Sequence, residues 1–267
     1  MPGDKYEYGI DFGAVDAIDV HTHVEIDSSG HGAYDPELAE ATGRHFNLDP
    51  GHAATVDDLA EHYRRHNTAA VVFTIDAQTA SGHRPNSVEE LTGDFGVKGF
   101  KFHPSLQGFE PNDRRFYPIY QAIAAAGVPA LFHTGQTGLG SALPGGYGIK
   151  LRYSDPMLLD DVAADFPELT IVMAHPAVPW VDAQIAIASH KANCYIDLSG
   201  WSPKYFPPQL IRALGRQLRS KALFGTDHPY ITLERWRRDF DALDIDPSVL
   251  PMILKRNALE VLGIPQA

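Results

Sequence analysis

A short hydrophobic run that ends in histidine or aspartate recurs four times along this chain. The first is Ala17-Ile18-Asp19-Val20, which closes on His21-Thr22-His23. The others are Val128 to Phe132 ending in His133, Leu169 to Ala174 ending in His175, and Ala222 to Thr226 ending in Asp227, each followed within two residues by Gly or Pro. Side chains alternate faces along a strand, so Asp19, His21 and His23 share one face while Val20 and Thr22 take the other. Neutral imidazole is a ready metal ligand near neutral pH. One H-x-H pair is a weak signal, but four strands that deliver His or Asp at the same end read as a metal site.

The remaining segments support that geometry. Strand-like runs alternate with helical ones, the pattern of a parallel sheet with crossover helices. Thr55 opens a helix that runs to about Asn67, and a second strand covers 69–75. A strand at Val97 to His103 is followed by a helix from Phe116 to Ala126 that Gly127 stops, and by the His133 strand. Helices at Met157 to Phe166, Trp180 to Ala188 and Pro208 to Leu218 lead into the His175, Cys194 and Asp227 strands. A last helix spans about Pro251 to Leu262, and two long stretches, Glu25 to Pro50 and Thr134 to Asp155, read as loops over the site. With 267 residues, the expectation is one α/β domain over 1–267, a TIM (β/α)8-type barrel. The strands number seven. About twenty residues separate Ile75 from Val97, too few for a full unit of roughly thirty. The third β/α unit is therefore either shortened to a helix at Ser87 to Leu91 or missing.

Bulk properties narrow the partners. Net charge is −12 with no basic tract, which argues against nucleic acid or an anionic membrane surface. No apolar run is long enough to span a bilayer, and Met1 to Lys5 lacks a signal-peptide pattern. The single Cys194, placed in a buried strand, fits a reducing cytoplasm and an inert thiol. Thirteen histidines are many for this length.

From D-V-H-T-H at Asp19 to N-A-L-E-V-L-G-I at Asn257, the chain resembles the amidohydrolase superfamily. Its branch is the one containing aminocarboxymuconate semialdehyde decarboxylase and γ-resorcylate decarboxylase. The resemblance implies a barrel that holds one divalent ion, zinc first and manganese second, on His21, His23, His133 and Asp227. It implies His175 as the acid/base beside the metal-bound water, with Asp227 counted among the catalytic groups as well. A homo-oligomer acting on a small-molecule substrate is also implied. The residue chemistry agrees, since three imidazoles and a carboxylate suit zinc better than magnesium or calcium.

Alternatives stand for several residues. His175 also fits a strand-end cap. His103 shares a face with Lys101 and either touches substrate or is hydrogen-bonded below the site. Arg152, with Lys150, either meets a substrate anion or is solvated. Trp201 lies in D-L-S-G-W-S-P-K-Y-F, which suits an aromatic acid and equally suits packing. His228 is out of phase with Asp227 and points away. His31, His45, His52, His62, His66, His83 and His190 read as solvated or structural. G-F-K-F-H-P-S-L-Q-G-F at Gly99 looks like a subgroup associated with hydrolysis of aromatic β-ketoacyl thioesters. The expected activity is thus a hydrolase of aromatic catabolism that turns metal-bound hydroxide on a carbonyl. A metal-dependent decarboxylase of an aromatic or muconate-type acid is the alternative, and a non-catalytic binding barrel is the alternative of another class.

Overall fold

The computed structural model describes residues 9–24, 26, 32, 34–48, 54–73 and 85–265. Seven strands are present among them, all paired in parallel. β1 (Ala17–His23) pairs with β2 (Thr68–Phe73). β3 (Phe100–Phe102), β4 (Ala130–His133), β5 (Ile171–Ala174), β6 (Cys194–Asp197) and β7 (Ala222–Leu223) form a second sheet in chain order. Backbone bonds join the two sheets at one side. Val20 N donates to Phe224 O at 3.0 Å, and Asp227 N donates to His21 O at 2.8 Å. The wall therefore runs from β3 through β7 into β1 and β2, the curved parallel arrangement that the alternating pattern predicts.

The break lies between β2 and β3, which are not paired among the described residues. Here the sequence expects the reduced third unit. Its helix is the short one at Val88–Gly93, while 74–84 lie outside the described residues. A cavity of ≈ 850 Å³ opens at the break, with Val20, Val72, Phe100, Leu131, Val172 and Leu223 among its walls. Val20, Leu131, Val172 and Leu223 belong to the cluster inside the strand wall, a surface that a complete barrel would cover with one more unit.

The helices are α1 (Pro36–Phe46), α2 (Val56–Arg65), α3 (Val88–Gly93), α4 (Pro104–Gln107), α5 (Tyr117–Ala126), α6 (Met157–Asp165), α7 (Val181–His190), α8 (Pro208–Leu214), α9 (Leu233–Asp241) and α10 (Asn257–Val261). Local chemistry explains their starts. Thr55 and Asp58 form a reciprocal capping box on α2, and Ser87 with Glu90 does the same for α3. Two helices depart from expectation. α1 falls inside the stretch expected to be a loop; Asp35 caps it by accepting from Glu37 N and Leu38 N. α9 was not expected at all, because LERWRRDFD is mostly charged. It nevertheless buries Leu233, Trp236 and Phe240 on one face. Trp236 packs on Phe224 and Phe240, and its Nε1 donates to Leu198 O at 3.0 Å, which ties α9 to the end of β6. The strand expected at Val97 to His103 is shorter, reduced to β3. Among the described residues no helix is long and apolar enough to cross a membrane.

Candidate metal centre

Every strand end singled out by the sequence opens into one small pocket at the C-terminal face, where barrel enzymes place their chemistry. His21 and His23 leave β1, His133 closes β4, His175 follows β5 and Asp227 follows β7. The Nε2 atoms of His21 and His23 are 3.2 Å apart, and they lie 3.2 and 3.1 Å from Asp227 Oδ1. Four ligands held tetrahedrally at about 2.1 Å stand roughly 3.4 Å from one another, so this triangle has the size of a coordination face. Donor atoms of His21, His175 and Asp227 also lie within 4.8 Å of one another. His133 packs edge-on to His175 with ring centroids 4.7 Å apart. Its Nε2 is buried without a hydrogen-bond partner among the described residues.

Partners distant in sequence hold these groups in place. Asp197, at the end of β6, is hydrogen-bonded to His21 Nδ1, which leaves Nε2 facing the pocket. This carboxylate–imidazole pairing is a common way to orient a metal-binding histidine. The other Asp197 oxygen accepts from Ser199 N at 2.8 Å, and Ser199 Oγ lies 2.9 Å from His175 Nδ1. Asp19 accepts from Thr226 N, Thr226 Oγ1 and Tyr63 OH, fixing the turn that presents Asp227. His175 and Asp227 both take left-handed backbone, with φ of 71° and 68°. Such conformations cost about 1–3 kcal/mol in a non-glycine residue and collect at functional sites. Gly200 must be glycine for another reason: a Cβ there would sit 2.4 Å from His175 Nδ1.

The electrostatics favour neutral rings around an ionised carboxylate. Burial lowers His21 to about 3, helped by Lys101 and opposed by Asp197. Burial likewise pulls His133, His103 and His175 below the ordinary histidine value. It would raise Asp227, but His175, His23 and His21 outweigh it and hold that carboxyl well below the usual range. Lys101 drops to about 8 through burial, with Asp227 and Asp197 resisting. Ligands must be deprotonated to bind a metal, and the shifts at His21, His133 and Asp227 favour that state. The donor set fits one divalent ion. His21, His23, His133 and Asp227 would hold it, with His175 close enough to compete for that role.

The other expected residues divide. Lys101, His103 and Trp201 line the pocket. Lys101 Nζ lies 3.1 Å from His21 Nε2. His103 stacks on His133 at 3.9 Å, while its Nδ1 accepts from Leu106 N and caps α4. Arg152 is a correction. A 3-10 turn at Leu151–Ser154 turns it outward, where it bonds Glu110 at 2.8 Å, and it is not among the pocket walls. His228 stacks on His62. His31, His52 and His83 lie outside the described residues. Sequence reasoning missed the orienting role of Asp197 and the walls formed by Tyr34, Phe46 and Tyr230. Asp197 closes its own hydrophobic run in the manner of the other four, and that signal was available.

Asp197→Ala removes the partner of His21 Nδ1. It should weaken metal affinity by ~10–100-fold, the usual worth of such an orienting group. Titration of the apoprotein with zinc measures it, with a thermal melt to establish folding. Unchanged affinity in the folded variant would remove the orienting role.

A family model described as amidohydrolase matches residues 18–264. No curated protein sequence matches significantly. Among solved structures, an uncharacterised TIM-barrel protein from Bordetella bronchiseptica aligns with TM-score 0.71 and 22% identity, over 93% of this chain and 98% of that one. A dihydroxybenzoic acid decarboxylase from Polaromonas, solved with manganese and 2-nitroresorcinol, aligns with TM-score 0.57 and 17% identity, over 95% and 98%. A probable 2-pyrone-4,6-dicarboxylic acid hydrolase from Acinetobacter baumannii aligns with TM-score 0.52 and 16% identity, over 93% and 100%. At these identities the likeness is one of fold, the TIM-type barrel.

Proposed function

Because this chain belongs to the amidohydrolase family, we propose that it is a metal-dependent hydrolase that cleaves at the carbonyl of an elongated aromatic acyl substrate, such as a β-ketoacyl thioester. The observation that carries this reading is a pair of adjoining cavities with shared walls. An inner one of ≈ 70 Å³ contains the histidine–aspartate cluster. An outer one of ≈ 250 Å³ shares Phe46, Gln136, Gly138, Gly200, Trp201 and Tyr230 with it and adds Arg235 at its wall. A small benzoic acid has no use for the outer space. An acyl group with a long anionic carrier fills both, its carbonyl inside and its carrier beside Arg235.

The divalent ion, when bound, supplies Lewis acidity and lowers the pKa of water towards ~7. The protein's own groups do the rest. His175, with Nδ1 held by Ser199, presents Nε2 to take a proton from water and return it to the leaving group. Lys101 places an ammonium in the pocket to meet negative charge developing on the carbonyl oxygen. Phe46, Trp201 and Tyr230 offer flat apolar faces for an aromatic ring and exclude water.

Decarboxylation is the second reading, favoured by the likeness to the Polaromonas decarboxylase. Solvent labelling separates the two with aromatic β-ketoacyl thioesters and hydroxybenzoic acids as probes. Hydrolysis in ¹⁸O-labelled water puts solvent oxygen in the product carboxylate. Deuterium on a product carbon, with no solvent oxygen taken up, would overturn the hydrolase in favour of a decarboxylase.

A further inference from the structure

A second group of metal-ligating side chains lies outside the pocket, on the outer side of the Asp227 turn. His62 is on α2 and His66 caps its C-terminus, four residues on. Glu234 lies in the first turn of α9. His66 Nε2 is 2.8 Å and His62 Nε2 3.7 Å from the same oxygen, Glu234 Oε1. All three donor atoms lie within 4.8 Å of one another. None of the three residues lines either cavity of the active site.

An ordinary ion pair explains only half of this arrangement. His66 and Glu234 satisfy each other, yet His62 Nε2 is buried and has no hydrogen-bond partner among the described residues. A buried polar atom left so costs about 1–3 kcal/mol. Its ring is fixed between His66, at 4.9 Å, and His228, at 5.7 Å, so it is held aimed at the carboxylate. One cation between the three atoms would satisfy both imidazoles and the oxygen together. Two histidines spaced i, i+4 on a helix present their rings on one face, a spacing well suited to a shared ion. Two imidazoles and one carboxylate form a three-ligand set typical of zinc, with a fourth position open to solvent. The side chains are 23, 36 and 51% exposed, so an ion can enter from solvent. Burial holds His62 below the ordinary histidine value, with Glu234 opposing and His66 and Arg65 assisting, which leaves the ring neutral and able to donate a lone pair.

We propose that His62, His66 and Glu234 form a second divalent-cation site of the zinc class, separate from the catalytic centre, that clamps the end of α2 to the start of α9. α9 follows directly on the segment that carries Asp227 and Tyr230, and His228 of that segment stacks on His62. The clamp therefore braces the back of the loop that presents Asp227 to the pocket.

Metal stoichiometry tests it on the full chain. Protein is dialysed against zinc, then against buffer, and bound metal is counted by mass spectrometry for the native chain, His66→Ala, Glu234→Gln and His133→Ala. Two equivalents are expected in the native chain. One is expected in His66→Ala and in Glu234→Gln, a conservative change at an exposed position that keeps the fold. Zinc should raise the melting temperature of the native protein by more than that of Glu234→Gln, which keeps only the catalytic site. His133→Ala should keep the outer equivalent, so this site can stand even if the catalytic assignment falls. Bound zinc in the native chain that is undiminished by both His66→Ala and Glu234→Gln overturns the proposal.

Discussion

Protein stripped of divalent ions by a chelator should lose turnover by ~10³-fold or more, since a catalytic ion contributes several kcal/mol to the transition state and each factor of ten is about 1.4 kcal/mol. Zinc or manganese added back should restore it. The expectation follows from the crowding at the strand ends. His21 Nε2, His23 Nε2 and Asp227 Oδ1 stand 3.1–3.2 Å from one another, and His133 Nε2 is buried with nothing to bond among the described residues. Hydrogen bonds alone leave that set unsatisfied, whereas a cation satisfies all four donors. The stripped protein should also melt at a lower temperature, because a ligand that binds only the folded state stabilises it by mass action. Full activity in protein shown by mass spectrometry to hold no metal would remove the metal from the chemistry.

How much of this site was legible in the chain depended on the range of the interaction. The strand-end positions of His21, His23, His133, His175 and Asp227 follow from local patterns: a hydrophobic run sets the strand, and the residue that breaks it sits at the mouth. The helix starts at Thr55 and Ser87 are equally local, each cap closing within three residues. What the chain hid was long-range or weakly patterned. The strand-end place of Asp197 was legible, but its pairing with His21 from 176 residues away was not, because no spacing announces it. Arg152 could not be placed from sequence, since its partner Glu110 lies 42 residues back. α1 carries only Leu38, Ala41 and Thr42 as buried positions, too thin a stripe to stand out from a polar stretch. α9 hid its apolar face between arginines, although Leu233, Trp236 and Phe240 recur at helical spacing. The histidines His62 and His66, read as solvated or structural, gain meaning only when Glu234 is brought against them.

His175→Asn should slow turnover by ~10²–10⁴-fold, the range that a positioned general acid/base contributes, while metal content stays near normal. The ring is placed for that role. Ser199 Oγ lies 2.9 Å from Nδ1, and Gly200 leaves room behind the ring where any side chain would collide. Nε2 is thus directed into the same space as the His21 and Asp227 donors. Burial lowers the pKa of His175 below the ordinary histidine value, so the imidazole is neutral at working pH and able to accept a proton. The sign of the pH effect follows. Activity should fall as pH drops through that lowered value, where the ring becomes protonated, and this acidic limb should be missing from the residual activity of His175→Asn. Metal analysis and a kcat–pH profile on the same preparations decide the matter. If the variant loses its metal, His175 is a ligand, and the proton must be carried by another of the buried imidazoles. If the metal stays and the acidic limb persists, the proton is carried elsewhere and the left-handed backbone at His175 serves only the turn after β5.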